Sequence, residues 1–279
     1  MKILILGSNG FIGRNLAQYL ANSRHQLLTP KRTELNLLDQ EATEAYLRKH
    51  CPDVVINCAI NIQSVGDNLV IYYNLERCAS LFGRLINIGS GAEYAARYYT
   101  PLMSEEYFGN NVPSDTYGIS KFCIAKDIEC TAYDFVNLRV FGIFGEHEDH
   151  SRRFITNNIC ASIRNRTITV NRNSIFDYLD VQDFSRIVER FLSLPTAFKS
   201  YNVCTSIQRS LVDLAAIIDR ESGRENILTI VNGDVHSIYT GDNRRLLETI
   251  GDFSFTPMET SVKRLFSWYE SEFAAGRVT

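Results

Sequence analysis

Residues 1–13 read MKILILGSNGFIG. An apolar run, Ile3–Leu6, gives way at once to glycines at Gly7, Gly10 and Gly13. The run is far shorter than the roughly 20 residues of a membrane span. It also lacks the longer apolar stretch and small-residue cleavage site of a secretory leader. It reads as a buried first strand. Gly7 then allows a tight turn, Gly10 lets backbone approach a pyrophosphate, and Gly13 lets the next helix pack closely on the sheet. Asn9, Phe11 and Ile12 complete the turn, whose free N–H groups face the phosphates. Strand, glycine triplet and helix in that order make the context a dinucleotide cradle requires; the alternative is an ordinary strand-to-helix loop.

Outward from this stretch the chain alternates. Short apolar runs at Gln26–Leu28, Val54–Asn57, Leu85–Ile88 and Val136–Val140 read as strands. Between them, Ile12–Ala21, Gln40–His50, Asn68–Leu81 and Tyr117–Tyr133 read as helices. The rhythm predicts an α/β fold, a doubly wound parallel sheet of the Rossmann type with helices on both faces. It loosens near residue 145. Residues 1–150 are expected to form the nucleotide-binding domain, and 151–279 a smaller substrate domain, with the chain returning to the first sheet over 176–204. Helices are expected at Phe154–Arg164, Asp183–Leu194, Leu211–Glu221 and Ser261–Phe273, and strands at Thr167–Val170, Phe176–Val181 and Tyr201–Val203.

The 279 residues suffice for a substantial core. A net charge of −3 gives no global field that calls for nucleic acid or an anionic membrane. The seven cysteines are odd in number and scattered, with no Cys-x-x-Cys pair. That pattern fits reduced thiols and a cytoplasmic protein, not a disulfide frame or a zinc site. The run HEDH, His147–His150, lies in a polar connector without an orienting scaffold, so no metal is expected.

An acid at the end of the second strand would bind ribose hydroxyls and favour NAD. Here LLTPKRTEL places Lys31 and Arg32 at that point. Two cations suit a 2′-phosphate, so NADP(H) is favoured, with NAD(H) the alternative.

At 114–121 the chain reads SDTYGISK, with Tyr117 and Lys121 four apart on one helix face. A free tyrosine holds its proton to about pH 10, and a lysine cation nearby stabilises the phenolate. Tyr117 can then exchange a proton with a hydroxyl or ketone while hydride moves. Lys121 can also bond the nicotinamide ribose. The chemistry needs a hydroxyl donor at the C-terminal end of a strand, where open parallel sheets bind ligands. LINIGSGAEY supplies Ser90 there.

The Gly-x-x-Gly-x-x-Gly spacing, with Ser90, Tyr117 and Lys121, resembles the extended short-chain dehydrogenase/reductase family, in its nucleotide-sugar branch. Ser90 and Tyr94 keep the branch's serine-to-tyrosine spacing. By the same resemblance, Asp39 would contact adenine, and Cys58, Ala59 and Ile60 in PDVVINCAIN (52–61) would pass close to the pyrophosphate and ribose. NLRVFGIFG (137–145) and FDYLDVQD (176–183) resemble two further family segments, with Gly142, Phe144 and Phe176 replacing the usual Asn, Tyr and Arg. Since Phe176 removes a diphosphate contact, Arg153, Arg172 or Arg244 is expected to supply it beside Ser90. The resemblance implies a nucleoside-diphosphate sugar as substrate and raises a homodimer through the Tyr117 helix.

Dehydratases of this branch follow the catalytic hydroxyl with Asp-Glu. Here Gly91 and Ala92 follow Ser90, and Glu93 comes one place late. Members that epimerise C3 and C5 add a cysteine and a histidine. By spacing, Ala92 and Arg153 stand there instead. The resemblance therefore implies reduction of a C4 ketone with Tyr117 as proton donor. An NAD-dependent 4-epimerase is the alternative, and a non-catalytic NADP-binding sensor a third reading. The nucleotide base stays open.

Overall fold

The computed structural model describes residues 1–225 and 227–278. In chain order its elements are β1 (Lys2–Leu6), α1 (Phe11–Ala21), β2 (Gln26–Leu28), α2 (Gln40–His50), β3 (Val54–Asn57), α3 (Val65–Glu76), β4 (Arg84–Ser90), α4 (Thr116–Cys130) and β5 (Phe135–Val140). There follow β6 (Gly142–Phe144), α5 (Phe154–Ile163), β7 (Ile168–Val170), β8 (Asn173–Phe176), β9 (Tyr178–Asp180), α6 (Val181–Phe191) and β10 (Ser200–Val203). The chain ends through β11 (Arg209–Ser210), α7 (Leu211–Ser222), β12 (Leu228–Ile230), β13 (Val235–Tyr239), α8 (Arg244–Ile250) and α9 (Met258–Ala274).

Six parallel strands form the main sheet in the order β10-β5-β4-β3-β1-β2. The alternation within β1 explains the helices on both faces. Ile3 and Ile5 pack with Leu16 and Leu20 of α1 and Phe184, Ile187 and Val188 of α6. Leu4 and Leu6 point the other way, among Leu47 of α2, Leu75 of α3 and Ile124 and Ile128 of α4. Successive strand side chains alternate faces, so a strand apolar at every position must be covered twice.

After β5 the chain builds a second cluster around Phe144, Ile159, Ile168, Leu214, Ile218 and Phe266, drawn mainly from α5, α7 and α9. Here β8 pairs with β11 and β13, β7 with β12, and β6 with β9. The strand expected over 176–181 divides at Asp177. That carboxylate is buried and accepts from the Thr205 amide (2.8 Å), the Thr205 hydroxyl (2.6 Å) and the Ser206 amide (2.7 Å). The chain therefore changes partners, from β11 and β13 before Asp177 to β6 after it. Within 176–204, only β10 joins the main sheet, although α6 packs against it. Helix α3 begins earlier than expected because Ser64 caps it, accepting from the Asp67 amide. No helix among the described residues is long and apolar enough to cross a membrane.

The β1–α1 junction depends on bare backbone. Gly7 has φ +74°, and a Cβ on Gly13 would lie 2.3 Å from the Gly7 carbonyl oxygen. Neither backbone can yield cheaply. Gly13→Ala should therefore cost about 1–3 kcal/mol by overpacking, which for a chain of this length lowers the melting temperature by about 2–4 °C per kcal/mol. A thermal melt matching wild type would show that α1 can move off the sheet freely.

Candidate active site

Between β1 and β3 the connections leave in opposite directions, and a crevice opens at the strand C-termini. Its volume is about 590 Å³, within the range of small-molecule sites. Residues 7–10 form its floor; Pro30, Arg32 and 35–38 form one wall; 58–62, Asp67 and Ile71 form the other. Gly7, Asn9, Gly10, Arg32, Cys58, Ala59 and Ile60 thus come together around one cleft. Phe11, Ile12 and Gly13 lie behind it, in the first turn of α1. The floor fits a pyrophosphate: its backbone is unencumbered, and the α1 N-terminus opens onto it without a side-chain cap.

Lys31 and Asp39 also fall outside this lining. Lys31 is exposed, and its amide donates to Glu34 (2.7 Å). Asp39 caps α2, accepting from the Ala42 amide (3.0 Å). Asn36–Leu38, just before it, line the cleft. Ser8, Asn61 and Asp67 also line the cleft and were not expected from the sequence. The Ser64-Val-Gly-Asp67 capping pattern was the signal that α3 starts there.

The second group sits at the end of β4. Asp115 caps α4 by accepting from the Gly118 amide (2.8 Å), which starts the helix just before Tyr117. Gly118 lets that end approach closely, since a Cβ there would fall 2.7 Å from the Ala92 carbonyl oxygen. Tyr117 is thereby brought to the segment that follows Ser90. One turn on, buried Lys121 donates to the Ile88 carbonyl (2.5 Å), with its ammonium 6.0 Å from the Tyr117 ring centre. Its charge also reaches Cys58, whose thiol burial pushes up to about 12. Lys121 therefore stands between the cleft and the tyrosine.

Ser90 is held from beneath. Its amide donates to Glu93 Oε1 (2.9 Å), and its Oγ accepts from the Ala92 amide (3.2 Å). Glu93 is fully buried and pairs with the fully buried Arg139. Asn137 Nδ2 donates to both Glu93 oxygens (3.0 and 2.9 Å). Asn87 Nδ2 donates to Asn137 (2.7 Å), Asn57 Nδ2 to Asn87 (3.0 Å), and the Ala59 amide to Asn57 (3.2 Å). These asparagines are register partners on β3, β4 and β5. The ladder joins the cleft wall to the serine. Gly89 makes room, because a Cβ there would lie 2.3 Å from Glu93 Oε1. Burial pushes the Glu93 carboxyl up, while Arg139, Asn137 and the Ser90 amide pull the other way.

A model of the NAD dependent epimerase/dehydratase family matches residues 3–204. The chain belongs to that family. Its members of the extended short-chain dehydrogenase/reductase type are NAD(P)-dependent enzymes of nucleotide-sugar modification. The chain is 24% identical over 291 residues to a GDP-6-deoxy-D-talose 4-dehydrogenase of Aggregatibacter actinomycetemcomitans, covering 95% of this chain and 97% of that one. It is 25% identical over 256 residues to a GDP-L-fucose synthase of Azorhizobium caulinodans, covering 80% and 81%. A GDP-L-fucose synthetase of Naegleria fowleri bound to NADP shares the fold, with a TM-score of 0.84 at 17% identity over 98% of this chain and 95% of that one.

The departures from the family pattern have structural counterparts. Phe176 stacks on Tyr178 (5.3 Å between ring centres) and meets Tyr239 edge-on (5.9 Å). Tyr239 in turn contacts Tyr99 and Phe141. An aromatic wall thus replaces a cation at 176. Of the three candidate arginines, Arg153 lies at the start of α5 and Arg172 in the turn between β7 and β8, both exposed. Arg244 is 81% exposed and pairs with Asp242 (2.6 Å) at the head of α8. No hydrogen bond or ion pair among the described residues joins any of the three to Ser90, Tyr117 or Lys121. In the HEDH run, His147 meets Trp268 edge-on, and Glu148 is buried with Oε2 unpartnered.

Two measurements probe these groups. Glu93→Gln leaves Arg139 with only Glu129, 3.5 Å away, for charge compensation. Breaking a buried pair costs about 3–5 kcal/mol, so the urea midpoint should fall clearly; an unchanged midpoint would mean Glu129 suffices. Burial pushes Glu148 up to about 8, whereas an unfolded glutamate titrates near 4.3. Its stabilising contribution is fully present below that lower value and is lost as pH rises through about 8. Glu148→Gln stays neutral, so its melting temperature relative to wild type should rise between pH 5 and 8. A constant difference would rule this out.

Proposed function

We propose that this chain reduces the C4 ketone of a nucleoside-diphosphate 4-keto-6-deoxysugar, with GDP the first nucleotide to test and NADPH the hydride source. The observation that carries the reading is the convergence of Ser90, Tyr117 and Lys121 at the end of β4, one buried lysine away from a dinucleotide-sized cleft. Ser90 donates a hydrogen bond to the ketone oxygen. Tyr117 delivers the proton to that oxygen as it gains charge. Lys121 stabilises the phenolate left behind. Arg32, facing the cleft without an acid at the usual ribose position, supports NADPH over NADH. The GDP-sugar relatives support the choice of nucleotide.

The test begins with the cofactor. Purified protein should release no stoichiometric nucleotide on denaturation and should bind NADPH more tightly than NADH. Stoichiometric retained NAD would overturn the reading in favour of a 4-epimerase. Tyr117→Phe should lose about 10²–10⁴-fold in turnover while keeping NADPH affinity; retained turnover would remove Tyr117 from the chemistry. Arg32→Ala should lower the NADPH-to-NADH preference by about tenfold or more, the worth of a charge-assisted contact. An unchanged ratio would assign the selectivity elsewhere.

A further inference from the structure

Asn68, in the first turn of α3, joins the cleft wall to the helix that carries Tyr117 and Lys121. Its side chain is buried, and all of its geometry is that of ordinary hydrogen bonds. Oδ1 accepts from the Asn61 amide (2.7 Å). Nδ2 donates to the Asn61 carbonyl (2.8 Å) and to Ser120 Oγ (3.1 Å). A backbone N–H can only donate, so the Asn61 amide fixes which way the Asn68 side chain is turned. Both Nδ2 protons are then in use. The fully buried Ser120 hydroxyl donates in turn to the Tyr117 carbonyl (2.8 Å). The next residue, Lys121, donates to the Ile88 carbonyl (2.5 Å).

At the other end of this path stands the cleft. Asn61 lines it, and so does Asp67, which accepts from Asn61 Nδ2 (2.9 Å). Neither Asn68 nor Ser120 is among the lining residues. The path therefore runs from a wall of the cleft, through two buried side chains that do not face it, to the backbone of Tyr117. Reduction of a ketone needs hydride on carbon and a proton on oxygen of the same carbonyl, and a misplacement of about 1 Å can cost about 10²-fold in rate. We propose that Asn68 is a positioning residue, which holds the α4 turn bearing Tyr117 and Lys121 in one frame with the wall of the cofactor cleft. The inference rests on the ketone reduction proposed above.

The test is a double-mutant cycle of Asn68→Ala and Ser120→Ala, measured on folded protein well below its melting temperature. With a GDP-4-keto-6-deoxysugar, each single variant should lower kcat by about tenfold, with KM for the sugar nearly unchanged. Each should also weaken binding of the nicotinamide cofactor by about 3- to 10-fold, the worth of one hydrogen bond. In the Asn68→Ala background, Ser120→Ala should change neither quantity further, because its route to the cleft is already cut. A role in packing alone would lower the urea midpoint of both variants and leave kcat and cofactor affinity at wild-type values. That result would overturn the proposal, and so would additive losses; either leaves the reductase reading standing. The cofactor titration needs no sugar and uses whichever of NADPH and NADH binds the wild type. If the wild type reduces no ketosugar, the reductase reading falls and the titration cycle decides the coupling alone: non-additive losses uphold it, and additive or absent losses overturn it. A wild type that binds neither cofactor overturns both.

Discussion

The Glu93–Arg139 ion pair is the constraint around which the active end of the sheet is arranged. Two charges without solvent exposure depend on each other and on the groups packed around them, and Arg139 still keeps Nη1 without a hydrogen-bond partner. Asn137 and the Ser90 amide donate to Glu93. Arg139 lies over the Phe108 ring, 3.8 Å from its centre, and reaches Glu129. The demand runs sideways along the strands: Asn137 is matched by Asn87, and Asn87 by Asn57. Parallel strands in register make such a ladder possible, since equivalent side chains stack across neighbours. The turn that walls the cleft and the turn that carries Ser90 are thereby tied to the same buried row.

The same pair explains why the acid near Ser90 stands one place late for dehydration chemistry. Glu93 faces inward, onto Arg139. The sequence places it three residues after Ser90, but only the 3-10 turn at 91–93 shows which way it points.

Legibility in the sequence followed locality. The β1 alternation, the glycine triplet and the Tyr117–Lys121 spacing are all encoded within a few residues, and each of these elements forms where its pattern predicts. Lys31 and Arg32 show the limit: adjacent in sequence and alike in charge, only Arg32 lines the cleft. Asp39 stands before a helix with Ala42 three residues on and caps α2, while Asn36–Leu38 just before it line the cleft. Tyr239 was beyond reach, because its position depends on Asp177 redirecting the chain and on the bridge between Met103 and Gly241. No periodicity carries that information.

The titratable groups around Ser90 bear on which sugar chemistry the site suits. Dehydration and C3/C5 epimerisation both need a base to take a proton from carbon. Around Ser90 the carboxylates are committed: Glu93 to Arg139, and Asp177 to the 205–206 turn. Beside Lys121 and Tyr117 the neighbouring groups are phenols, and burial pushes Tyr94, Tyr99 and Tyr239 above the ordinary tyrosine range. Such phenols stay neutral and hold their protons, so they serve as fixed hydrogen-bond donors and not as bases. A ketone oxygen that gains charge as hydride arrives is the acceptor that suits them. Among the described residues, no group there stands ready to take a proton from carbon, which is what separates this site from the dehydration and C3/C5 epimerisation patterns.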